Sequence, residues 1–157
     1  MDDRRVVSWQ LGRPARPFRA VARRCVHDMP AVTEQPPYTD EGDPFPTTYY
    51  LTCPWLVAAI SRIEATGGVA RWSEAAARDA GLRASLEEGD AEQRRIRPEL
   101  NVGIAGARDP ARLKCLHAHA AFALARPGYA LGEAILAEAD ELWCPDARCT
   151  RALEEAV

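Results

Sequence analysis

At 157 residues, with 47% hydrophobic side chains, the chain is long enough to bury a substantial core and too apolar to be disordered throughout. A formal charge of -3 and a pI near 5.7 exclude a protein that coats nucleic acid or an anionic membrane, because either partner needs a basic surface. No apolar run approaches the roughly 18 residues of a membrane span, and MDDRR leads into no hydrophobic leader, which predicts a cytoplasmic protein with no membrane partner. In a reducing compartment five cysteines point to thiols, metal ligands or small core residues rather than a disulfide framework.

In chain order, VVSWQL at 6–11 fits a short helix or strand, and GRPARP then forbids regular structure, so 1–17 is expected as a surface arm. FRAVARRCV (18–26) has the β-branched content of a strand ending at Cys25 and stopped by Pro30. The stretch 33–46, with four prolines, is a long loop, and TTYYLT (47–52) a strand that delivers the chain to Cys53. With Thr52 as N-cap and Pro54 in the first turn, a helix carries Leu56, Ile60 and Ile63 on one face until Gly67 and Gly68. Cys53 then sits at that helix's N-terminus, where the partial positive charge favours a thiolate.

Ser73 is the expected cap of an alanine-rich helix closing near Gly81, followed by a charged helical segment, Leu82 to Arg97, interrupted at Gly89 and Asp90. Residues 101–107 read as a flexible glycine loop. RDPARLKCLHAHAAFALA (108–125) follows, with Asp109 as N-cap, Pro110 at N1 and Pro127–Gly128 as the stop; it is apolar on nearly every face and predicts a central buried helix near 110–126. A last long helix runs from Leu131 to Trp143, with Cys144 and Cys149 beyond it. The fold class expected is a helix-dominated α+β single domain over 1–157, a small N-terminal sheet packed on four or five helices.

The chemistry sits in the cysteines and histidines. Within one continuous helix Cys115 and His119 share a face, while His117 points roughly 200° away. Cys25, Cys53, Cys144 and Cys149 fall at element ends, where ligands can converge, although no C-x-x-C pair exists. The metal set expected is Cys25, Cys53 and Cys115, completed by Cys149, Cys144 or His117, around zinc or an iron-sulfur cluster. Gly106, Arg112 and Lys114, the chain's sole lysine, form a candidate anion site for a small ligand.

Several strings appear in a familiar order: QLGR at 10–13, RC at 24–25 before Pro30, PFPT at 44–47, YLTCP at 50–54, SRIEATGGV from Ser61, and KCLH at 114–117. Together they resemble the uncharacterised bacterial family catalogued as domain of unknown function 501, over residues 10 to about 125. The resemblance implies that Cys25, Cys53, Cys115, Lys114 and His117 occupy motif positions; it supplies no activity. The family often has glycine where His27 or Asp28 stands and usually carries a second histidine several residues after KCLH, where this chain has His119, so the resemblance favours His117.

Three functions from different classes follow. The first is a metal-binding protein built on the scattered cysteines. The second is a metal-free thiol enzyme with Cys53 as nucleophile and His117 or His119 as base. The third is an interaction module whose PPYTDEGDPFP loop meets a protein partner. Whether the chain is an enzyme is left open by the sequence.

Overall fold

The structure is a computed structural model describing residues 2–109 and 112–156. Seven helices and a small antiparallel sheet are present among the described residues, in the order α1 (Asp3–Leu11), β1 (Ala20–Arg24), β2 (Pro30–Glu34), β3 (Tyr49–Leu51), α2 (Pro54–Ala65), α3 (Gly68–Arg78), α4 (Ala80–Ile96), α5 (Leu116–Ala125), α6 (Ala130–Glu138) and α7 (Arg148–Glu155). This is the helix-dominated α+β class, with more helices than the four or five expected.

The sheet has the order β1-β2-β3. Pro30 does not stop a strand but opens the central one, a position where its missing N–H breaks little of the ladder. From Pro30 to Thr33 β2 is buried, pairing Thr33 with Val21 on one side and with Tyr50 on the other.

Residues 3–11 are not a surface arm. Asp2 accepts from Arg4 N–H at 3.0 Å, Gly12 ends α1 in a left-handed conformation, and Val6 and Val7 are buried at 1% and 2% exposure. Their partners are α7 and β2, distant in sequence, which local pattern cannot reveal.

α3 starts at Gly68, not at Ser73, because Gly67 at φ +81° turns the chain straight out of α2. Ser73 is mid-helix, and its hydroxyl accepts from Leu113 N–H at 3.2 Å. α4 runs unbroken through Gly89 and Asp90. A Cβ at Gly89 would lie 2.9 Å from Tyr129, so the glycine permits close approach, and the buried Asp90 accepts from Ile104 N–H at 2.9 Å. α6 stops at Glu138, five residues before Trp143, and Asp140 at φ +61° leads the chain away.

α5 is the central buried helix, packed on β3, α6 and α2. Leu116, Ala120 and Ala121 are fully enclosed, and apolar burial of this kind stabilises the core at roughly 25 cal/mol per Å². The helix begins at Leu116, however, and Cys115 is its extended N-cap (φ -149°, ψ 116°). The expected start at Asp109 fails because residues 112–115 take another path: Leu113 N–H is bound by Ser73, and Lys114 Nζ donates to Gly106 O at 3.2 Å. Pro110 lies outside the described residues.

Candidate functional site

The late start of α5 decides what its first residues can touch. With Cys115 extended and His117 in the first turn, the two side chains meet across the helix entrance, Sγ to Nδ1 at 3.7 Å. His119 points elsewhere. It is buried, hydrogen-bonded to Tyr129 Oη at 2.7 Å, and desolvation pushes its pKa down to about 4. The pairing of Cys115 with His119 expected from a continuous helix is therefore corrected in favour of His117.

The third participant comes from α2. Val57, Ser61 and Glu64 share one face of that helix, aimed at the α5 entrance. One Glu64 oxygen accepts from Leu116 N–H at 2.8 Å, capping α5 where its dipole is positive; the other lies 3.4 Å from His117 Nδ1. His117 Nε2 faces Val57 O at 3.2 Å and Ser61 Oγ at 3.1 Å. Among the described residues, Glu64, Cys115 and His117 form the one set of three potential metal ligands whose ligating atoms all lie within 4.8 Å of one another.

Electrostatics couple these groups. Burial opposes charge on Cys115, but its hydrogen bonds to His117 and to Ala118 N–H leave the thiol more acidic than usual. The hydrogen bond to Cys115 raises the basicity of His117 against the cost of burial. Sulfur and imidazole line an open cleft of about 680 Å³, walled also by Thr47, Tyr50, Thr52 and Ala58. That volume suits a small organic molecule.

Glu64 escaped sequence reasoning. The available signal was an acid in the last turn of a helix, where the dipole disfavours it, so that a partner outside α2 had to hold it.

The other expected ligands are elsewhere. Cys25, Cys53 and Cys149 line a separate cleft together with Cys144; Gln10 and Pro54 belong to the walls of both clefts. Cys53 is buried at the α2 N-terminus as expected, yet desolvation outweighs the backbone N–H groups there and pushes its thiol up to about 11. Burial therefore works against the thiolate nucleophile expected at Cys53. Of the anion-site residues, Lys114 reaches the Gly106 carbonyl, while Arg112 lines a groove beside Glu64 and Glu74. No helix is long and apolar enough to cross a membrane among the described residues.

A family model described as "Protein of unknown function (DUF501)" matches residues 21–101. No curated protein and no solved structure matches the chain.

Proposed function

The chain belongs to the DUF501 family, the match spanning half its length, and from the geometry of the α2–α5 junction we propose that it is a metal-binding protein in which Glu64, Cys115 and His117 hold a zinc ion. The observation that carries this is convergence on one point. Tetrahedral zinc with bonds near 2.3 Å to sulfur and 2.0–2.2 Å to nitrogen and oxygen sets S–N and N–O edges of about 3.5 and about 3.4 Å. The Cys115–His117 and His117–Glu64 separations are 3.7 and 3.4 Å.

The imidazole supports the same reading. Its Nε2 faces the Val57 carbonyl, which fixes the proton there and turns the Nδ1 lone pair toward Cys115 and Glu64. A thiol–imidazole–carboxylate relay requires the acid on the far nitrogen, so that it orients the base. Here both partners address Nδ1, an arrangement suited to ligands and not to a relay.

Three protein ligands leave the fourth position for water or a substrate atom, and the adjoining cleft is large enough to admit one. Zinc at such a position supplies a Lewis acid and an acidified water. Ser61 and the Val57 carbonyl hold His117 in its orientation.

The test is elemental analysis of the full chain purified without chelators. Zinc is expected, and the double variant Cys115→Ala/His117→Ala loses one equivalent relative to the native chain. An unchanged zinc content in that variant overturns the assignment. A second reading, Cys115 as a metal-free nucleophile with His117 as its base, draws on the same 3.7 Å contact and the open cleft. It predicts rapid iodoacetamide capture of Cys115 that zinc addition leaves unchanged, whereas the metal reading predicts protection.

A further inference from the structure

The second cleft gathers the remaining thiols. Cys25 follows β1, Cys53 precedes the first turn of α2, Cys144 lies between α6 and α7, and Cys149 is in the first turn of α7; all four line one narrow, partly open space of about 10 Å³, the size of a single water or ion. Two of the sulfurs face an N–H donor. His27 N–H reaches Cys25 at 3.3 Å and Gln10 Nε2 reaches Cys149 at 3.5 Å. Cys53 sits at the positive end of the α2 dipole without a side-chain cap hydrogen bond, and the Arg148 guanidinium, paired with Asp146 at 3.1 Å, lines the same space. Donors aimed at sulfur, and a helix N-terminus beside a third thiol, serve thiolates sharing a cation better than neutral thiols.

The surroundings fit a dianionic centre. Trp55, Trp143, Met29, Pro30 and Pro54 line the space with apolar surface, and no carboxylate of the described residues lines it. Arg148 stacks over Trp55 at 4.8 Å and Arg23 over Trp143 at 5.7 Å, bringing positive charge to the rim.

The location also supplies a structural need. Among the described residues, the apolar cluster joining α1 to α7 contains only Val6, Cys149 and Leu153 as buried residues, with Met29 packed against it. So few side chains hold a C-terminal helix weakly, and small cores of this kind are commonly fastened by a metal. His27 Nε2 already meets Cys144 O at 2.8 Å, and Trp55 Nε1 donates to Glu141 O at 2.9 Å, so the segment carrying Cys144 is tied down beside the sheet and α2.

We propose that Cys25, Cys53, Cys144 and Cys149 form a second metal centre, a single zinc ion bound by four thiolates, that fastens α7 and the segment before it to the β1 end and the start of α2. Binding releases the four thiol protons to solvent and leaves a complex of net charge -2, which the N–H groups of His27 and Gln10 and the N-terminus of α2 offset in part. No three of these sulfurs lie within 4.8 Å of one another in this structure. Ligation, with S–S edges of about 3.8 Å, draws them inward by rotation of the cysteine side chains.

The test uses the full-length Cys115→Ala/His117→Ala variant, which lacks the first centre, so that the two assignments fail separately. This variant is expected to retain one equivalent of zinc, and its cobalt-loaded form to show the sulfur-to-cobalt charge transfer of four thiolates. Adding Cys149→Ser should abolish that spectrum and speed amide exchange across residues 148–155. Should the added substitution prevent folding, site-resolved alkylation of the native chain decides: Cys25, Cys53, Cys144 and Cys149 are protected until a chelator is added. The proposal is overturned if the double variant carries no metal, if it carries iron with acid-labile sulfide, or if Cys144 alkylates at the same rate with and without chelator.

Discussion

Acidification should weaken the fold through His119. Its ring is 1% exposed and bonded to Tyr129, with no partner for Nε2 among the described residues, so a second proton would place a charge in the core. The folded pKa is depressed to about 4, against roughly 6.5 unfolded. Between those values the unfolded chain binds the proton and the folded chain does not, so stability is fully present above pH 6.5 and declines as pH falls toward 4. At about 1.4 kcal/mol per pH unit, the loss from pH 8 to pH 5 is about 2 kcal/mol, approaching about 3 kcal/mol at the bottom of the window. Urea denaturation of the native chain and of His119→Gln, at both pH values and with chelator present, isolates this contribution. The two proteins share every other titrating group, including His117, whose raised pKa acts in the opposite direction. Equal changes of unfolding free energy in the two proteins would refute the assignment of the window to His119.

Other perturbations have simpler expectations. Leu116→Ala, in the fully enclosed first turn of α5, should cost about 2–5 kcal/mol in the same denaturation assay, and an effect below about 1 kcal/mol would place that residue outside the core. Gly132→Ala puts a Cβ 2.5 Å from His119 O and 2.6 Å from Ala123 Cβ; both neighbours belong to a packed helix, so α5 and α6 must separate and a loss of about 1–3 kcal/mol is expected despite alanine's better helix propensity. Asp79→Ala removes the acceptor for Leu82 N–H at the start of α4 and should lower stability by about 1 kcal/mol, with helix content by circular dichroism unchanged at low temperature.

Wherever one residue's chemistry was enough, the sequence was legible. Pro54 marked the beginning of α2, the TTYYLT run marked β3, and the apolar character of 116–125 marked the buried helix. Where a long-range partner decides, it was not. The beginning of α5 depends on Ser73 holding Leu113 and Glu64 holding Leu116, contacts spanning 40 and 52 positions. Moving that start from Asp109 to Cys115 exchanges His119 for His117 as the neighbour of the thiol. The same ignorance of partners merged two groups of cysteines into one and sent Val6 and Val7 to the surface. Charge placement carries a further signal, since Glu64 at the C-terminal end of α2 calls for a cation or an N–H from another element.

The side-by-side placement of α1 and α7 governs how the molecule tolerates being built and cut. During synthesis Val6 leaves the ribosome long before Leu153, so α1 can meet β2 early, while the side of α1 that faces α7 stays uncovered until nearly all of the intervening chain has emerged. Proteolysis acts in the opposite sense: a nick after Asp146 that releases α7 also uncovers Val6, and damage at the late end of the chain is felt at its early end.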